Sequence, residues 1–388
     1  MSRPLCVMLV ATEASGDDRG AGLAAALRDR LGGNVRFIGA GGQKMAAEGV
    51  QSVFDISELS ILGVVDALLI YRRAMKLVDL AVDLAVREQP DAVILIDSWA
   101  FSLRVANRIR KRAPKIPLIK YVAPQVWAWR RGRARTLAQS VDHLLSIHTF
   151  DAPYFEAEGL ATTFVGNAAL GIDFRDADPG RIRNELAIAD QAEVLLVLPG
   201  SRPSEIRRVL PPFAEAVARL QAERPDLQVI IPAAPTVAEA VRSAVATWPV
   251  RPHLVEGDRS KYDAMKAAKV ALACSGTVTI ELALAGCPMV VAYRIDALTY
   301  ALVNWLVRRP ITLFNIAAKS MVAPEFIQED CTGIRLATAI TERLDDPALR
   351  ASQMASQFAA LDVMGRGGPD PSSAAADAVI SIVGMPRK

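Results

Sequence analysis

Histidine, cysteine and any excess of charge are what this chain has least of. Three histidines (His143, His148, His253) and four cysteines (Cys6, Cys274, Cys287, Cys331) stand among 388 residues, none at metal-ligand spacing. That argues against a zinc centre and against a disulfide framework. The cysteines read as small buried residues of a reducing compartment. Lys and Arg number 45 against 42 Asp and Glu, so the basic footprint of a nucleic-acid binder is missing. No uninterrupted apolar run is long enough for a spanning helix, and "MSRPLCVMLVATEASGD" lacks the long apolar region of a signal peptide. A cytoplasmic protein is expected. At 52% apolar and 22% charged residues the chain is globular, and its length suits two domains.

Short apolar runs, each followed by a helical pattern, are what it has in quantity. One series is "CVMLVA" (6–11), "VRFIGA" (35–40), "AVILID" (92–97), "PLIKYVA" (117–123), "HLLSI" (143–147) and "TTFVG" (162–166). A second is "VLLVLPG" (194–200), "LQVIIPA" (227–233), "VALACSG" (270–276) and "MVVAYR" (289–294). Runs apolar on both faces and alternating with helices predict an α/β protein with two doubly wound parallel-sheet domains facing a central cleft. Domains are expected at 1–170 and 171–345, with terminal helices over 346–388 that pack back on the first domain or exchange between subunits.

Two turns carry the chemistry. "VLPGSR" ends a strand in Gly200, Ser201 and Arg202, then enters a helix. Helix N-termini favour anions, and a guanidinium adds a two-pronged contact to phosphate oxygens. A turn with a solvated arginine would read the same. "ACSGTVTIE" repeats the form with Ser275, Gly276 and Thr277, and places Glu281 six residues after Ser275. A carboxylate there suits ribose hydroxyls. Two such turns from one sheet point to a nucleoside diphosphate.

Taken in order, "EASGD" (13–17), "VWAWR" (126–130), "LPGSR" (198–202), "AAKVALACSGTVTIE" (267–281) and "PMVVAYR" (288–294) resemble the lipid-A-disaccharide synthases. The similarity extends from "VATEASGD" to "APEFIQEDCT" (323–332). The resemblance implies a GT-B glycosyltransferase that needs no cofactor, since the UDP-sugar is a substrate. It implies inverting transfer of 2,3-diacylglucosamine from its UDP donor to 2,3-diacylglucosamine 1-phosphate, giving the β-1,6 disaccharide 1-phosphate and UDP. Such a reaction needs a base and stabilisation of the leaving diphosphate. The one Asp-x-Asp, Asp176 to Asp178, lies in the polar connection, so no catalytic metal is expected. Asp97 at a strand's carboxyl end is the first candidate base, with Glu13 beside it in sequence logic. Ser15, Asp17, Trp127, Arg130 and Asn315 are expected at the acceptor sugar or its phosphate. Asp97 could equally cap the next helix, Ser15 and Asp17 the helix that follows them, and Trp127 could pack internally. Three departures from the family's pattern stand out: Ala100 where a second aspartate is usual, Asn167 where a histidine is usual, and changed neighbours around Asn315.

Acylated substrates imply contact with a bilayer. "ELSILGVVDALLIYRRAMKLV" (58–78) offers Leu62, Val65 and Leu69 before Arg72 and Arg73; "TYALVNWLVRRP" (299–310) offers Trp305 before Arg308 and Arg309. Such strings lie in membrane interfaces, where arginines meet lipid phosphates, although buried helices give similar ones. The expectation is a protein held peripherally on the cytoplasmic face of the inner membrane, with a homodimer left open. A non-catalytic UDP-sugar or lipid-binding relative, or another UDP-sugar enzyme of the same architecture, remains the alternative.

Overall fold

The computed structural model describes residues 3–56, 67–127, 132–295 and 310–384. The chain divides into two compact units, Met1–Asn167 with Gly368–Lys388, and Ala168–Gly367. The region expected as one set of terminal helices is thereby split. Helix Pro347–Val363 belongs to the second unit and helix Pro371–Gly384 to the first.

The first unit holds β1 (Leu5–Val10), β2 (Val35–Ala40), β3 (Gln51–Ser52), β4 (Ala92–Ile96), β5 (Leu118–Tyr121), β6 (His143–Ser146) and β7 (Ala161–Phe164). All are parallel, in the order β3-β2-β1-β4-β5-β6-β7. The second unit holds β8 (Val194–Leu198), β9 (Gln228–Pro232), β10 (His253–Val255), β11 (Val270–Cys274), β12 (Met289–Tyr293) and β13 (Glu325–Ile327). Its order is β10-β9-β8-β11-β12-β13, again parallel. β3, β10 and β13 have no counterpart among the apolar runs, because two or three residues are too few to show a period.

Every residue of β4, β8 and β11 is buried, as the unbroken apolar runs require of strands covered on both faces. Strand order reverses between β1 and β4 in one sheet and between β8 and β11 in the other. At such points the loops beyond the carboxyl ends diverge and leave a crevice.

Helix Ala14–Arg30 buries Gly16, Gly20, Leu23, Ala24 and Leu27, a stripe at three- and four-residue spacing. A Cβ at Gly20 would stand 2.4 Å from Met45 Sδ and 3.1 Å from Ile96 Cδ1. At Gly16 it would stand 3.2 Å from the Ala11 Cβ and 3.6 Å from Asp97 Oδ2. Bare backbone thus lets the helix's first turn approach the end of β4. Helix Pro371–Gly384 covers the same helix elsewhere: Ala375, Ala376 and Val379 share an apolar cluster with Leu23 and Leu27, and Arg30 pairs with Asp377 at 2.8 Å.

Candidate active site

In the second unit a cavity of about 480 Å³ opens at the switch point of the sheet. Gly200, Ser201, Arg202, Ser275, Gly276, Thr277 and Glu281 all line it. Gly200 is required as glycine: its φ is +111°, and a Cβ would meet Glu205 Oε2 at 2.5 Å. The Ser201 and Arg202 N–H groups donate to that same Glu205 oxygen, at 3.0 and 3.2 Å. The N-terminus of helix Pro203–Glu223 is therefore capped by its own third residue. The N–H groups expected to form a backbone cradle are thereby occupied, which leaves the Arg202 guanidinium as the loop's exposed cationic group. That side chain is 76% exposed and tied to Glu205 only at 3.5 Å.

The loop after β11 is open. No atom lies within 4 Å of a Cβ added at Gly276, and the Thr279 hydroxyl donates to the Gly276 carbonyl at 2.8 Å. Helix Val278–Ala285 starts there and carries Glu281 in its first turn. Glu281 pairs with Lys261 Nζ at 2.9 Å, and Lys261 also reaches Asp258 at 2.9 Å. Burial alone would lower the Lys261 ammonium, but Glu281 and Asp258 outweigh it and hold it above its ordinary value. Lys261 and Glu205 escaped the sequence reading. The Arg202-to-Glu205 spacing was a usable capping signal, whereas "DRSKYD" (258–263) looks like any solvated segment. Asp178, of the Asp-x-Asp, caps helix Pro179–Glu185 by accepting from Gly180 N at 2.8 Å.

In the first unit, Asp97 stands just beyond β4. Its Oδ2 accepts from Ser15 Oγ at 3.2 Å and from Arg19 at 2.6 Å. Ser15 and Arg19 lie four residues apart on one helix face, so Arg19 could have been read from spacing. Glu13 is exposed at the N-cap position of the same helix and caps nothing. Asp17 is placed differently: buried, it accepts from the backbone N–H groups of Gly42, Lys44 and Met45 and so caps helix Gln43–Ala47. Both its oxygens are committed to that task.

Beneath Asp97 lies Lys120, 2% exposed, its Nζ donating to the carbonyls of Leu95, Asp97 and Tyr121. Burial pushes the ammonium down to about 7; the Asp97 and Glu13 carboxylates pull it up and Arg19 lowers it further. Its sequence signal was a lone lysine inside an apolar strand.

Trp127 is half-buried, edge-on to the rings of Phe150 at 5.6 Å and His148 at 6.4 Å. Asp151, fully buried beside them, has neither carboxyl oxygen hydrogen-bonded in the described structure. Burial pushes Asp151 up to about 7, only partly offset by the nearby Ser146 hydroxyl and Trp127 indole. Burial, with Arg19 adding, pushes His148 down to about 4. Asn315 is fully buried: its side-chain amide donates to the Ala323 carbonyl at 2.9 Å and to Glu325 at 2.8 Å, and its oxygen accepts from Ala323 N at 3.0 Å. It ties the chain around β13 from inside. Asn167 is buried as well, and Ala100 is exposed on helix Trp99–Arg112.

Arg72 and Arg73 are exposed on helix Ala67–Glu88, which also contains Leu69. No helix among the described residues is long and apolar enough to cross a membrane. Leu62, Val65, Arg130, Trp305, Arg308 and Arg309 lie outside the described residues, as does the side chain of Leu69.

A family model described as lipid-A-disaccharide synthetase matches residues 7–367. A lipid-A-disaccharide synthase of Rhodospirillum centenum is 43% identical over 382 residues, covering 98% of this chain and 95% of that protein. Among solved structures, the Staphylococcus aureus MnaA–UDP co-structure matches with a TM-score of 0.62 at 15% identity, over 97% of this chain and 95% of that one. The glycotransferase of kitacinnamycin matches with a TM-score of 0.62 at 18% identity, over 98% and 100%. These two share the GT-B fold. The family match and the close relative say more: the chain belongs to the lipid-A-disaccharide synthase family of glycosyltransferases.

Proposed function

We propose that the protein transfers 2,3-diacylglucosamine from UDP to the 6-hydroxyl of 2,3-diacylglucosamine 1-phosphate with inversion. The observation that carries this reading is the cavity at the β8/β11 switch point, where Arg202, the Ser275–Thr277 turn and Glu281 converge. Arg202 and the N-terminus of helix Val278–Ala285 take the diphosphate, and Glu281 takes the ribose. As the acceptor oxygen forms its bond to C1 of the donor sugar, the C1–O bond to UDP breaks and its electron pair leaves with the diphosphate. Positive charge fixed where negative charge develops lowers that barrier.

Asp97 takes the acceptor's proton. Arg19, 2.6 Å away, holds the carboxylate in its orientation, and Ser15 completes its setting. Glu13, exposed at the start of the same helix as Ser15, takes the acceptor sugar, and Trp127 and Arg130 are assigned to the same substrate. Asp17 acts by holding the backbone of the first unit at Gly42–Met45, and Asn315 by holding the chain around β13 in the second. The exposed Arg72 and Arg73, with Leu62, Val65, Leu69, Trp305, Arg308 and Arg309, meet the acyl chains and the acidic lipid surface on the cytoplasmic side of the inner membrane.

The test is UDP release from UDP-2,3-diacylglucosamine in detergent micelles containing EDTA, with and without the acceptor. Acceptor-dependent release is expected. UDP binding without turnover would instead make the protein a UDP-sugar binder.

A further inference from the structure

Lys120 sits in β5 with its whole side chain inside the sheet, 2% exposed. An ammonium has three N–H donors, and three main-chain carbonyls receive them: Leu95 at 3.1 Å, Tyr121 at 3.2 Å, and Asp97. All three belong to the carboxyl ends of β4 and β5. There the chain leaves the sheet through a left-handed path that side chains rarely take. Asp97 has φ +49°, Ser98 +32° and, at the end of the neighbouring strand, Val122 +76°. Left-handed conformations at three non-glycine residues, one of them β-branched, persist only where surrounding contacts over-determine them.

Those contacts meet on the Asp97 backbone. Its N–H donates to the Tyr121 carbonyl at 3.1 Å, and its carbonyl accepts from the Ser102 hydroxyl at 2.9 Å as well as from Lys120. A left-handed Asp97 turns its carboxylate to Ser15 and Arg19 on the neighbouring helix. An extended residue here would point its side chain elsewhere, since side chains alternate across a strand.

We infer that Lys120 is a positioning residue for the transfer reaction: its buried ammonium clamps the turn after β4, so that the Asp97 carboxylate is presented beyond the carboxyl ends of the strands. It touches neither substrate and acts through Asp97. The inference therefore rests on Asp97 being the base. Any buried lysine could hold a fold together; what marks this one is that its partners are the backbone of the candidate base and the adjoining ends of the same two strands.

The experiment is a double-mutant cycle on the full chain. Acceptor-dependent UDP release and UDP affinity are measured for wild type, Lys120→Met, Asp97→Asn and the double variant, with the slow variants followed over hours. Lys120→Met should lower kcat about 10- to 100-fold, the cost of misplacing a reacting group by about 1 Å, with UDP affinity unchanged. Added to Asp97→Asn it should cost nothing further, because two groups acting as one unit are not additive. An unchanged kcat in Lys120→Met, or the same loss in both backgrounds, overturns the inference and leaves Lys120 a general structural residue. Wild-type turnover in Asp97→Asn would be a different failure, removing the base itself and the inference with it. Should Lys120→Met not fold, Lys120→Gln, which keeps two of the three N–H donors, is taken through the same cycle: a smaller loss of kcat is expected in the Asp97 background and none beside Asp97→Asn, and an equal loss in both overturns the inference.

Discussion

On the proposed reading the Arg202 guanidinium is this loop's contribution to holding the diphosphate, because the loop N–H groups beside it already bond Glu205. Arg202→Ala should therefore weaken UDP binding about 10- to 100-fold, the range for losing a hydrogen bond to a charged group. Calorimetric titration with UDP checks this, and an unchanged affinity would mean that the Ser275–Thr277 turn suffices alone. Asp151 makes a different prediction. Its carboxyl is pushed up to about 7 in the folded protein, whereas an unfolded aspartate titrates near 4. The folded state thus holds the proton more tightly, so this stabilisation is complete below about pH 4 and is lost as pH rises to about 7. His148, pushed down to about 4, acts at the other end: stability drains as pH falls below about 6.5. Relative to wild type, Asp151→Asn should gain on the order of 3 kcal/mol between pH 4 and pH 8, read from urea unfolding at both. A constant difference across that range would show that Asp151 ionises freely.

Among the elements, helix Ala67–Glu88 divides into a buried and an exposed face. Leu77, Val78, Ala81, Val82, Leu84 and Ala85 are buried, while Arg72, Arg73 and Lys76 are exposed near its start. Reversing Arg72 and Lys76 to glutamate should weaken binding to vesicles containing acidic lipid by at least about tenfold, since each basic residue near such a surface contributes about a factor of five. Neutral vesicles serve as the control, and equal binding to both by wild type and variant would remove this helix from the membrane face. The apolar string that suggested a membrane contact was ambiguous for a physical reason: a helix buried on one side and a helix lying in an interface obey the same period. The strands were far more legible. Parallel strands covered on both faces must be apolar throughout, so the runs ending at Ile96, Leu198 and Cys274 announced both the strands and the loops that follow them.

At the scale of the whole chain, the last helix returns to the unit that the first helix belongs to. Val379 is fully buried in the cluster that includes Leu23 and Leu27. Val379→Asp would bury an unpaired carboxylate there and should cost roughly 3 kcal/mol, lowering the melting midpoint by about 10 °C. UDP affinity, which the proposed function assigns to the other unit, should stay as in wild type; a parallel loss would tie the donor cavity to that helix. No local pattern in "AAADAVISIVG" (374–384) says which unit it packs on, because a small-residue helix fits many surfaces. The sequence by itself determined the two parallel sheets, the loops at their switch points and the family, since each is written in contiguous residues as apolar runs, turns and ordered motifs. Tertiary structure alone decided the partners: Asp97 for Arg19, Lys120 under it, Asp17 capping a helix 25 residues on, and Asn315 inside rather than at a surface. Most of those contacts join residues far apart in the chain. Their energy comes from burial and direction, neither of which a local spacing records.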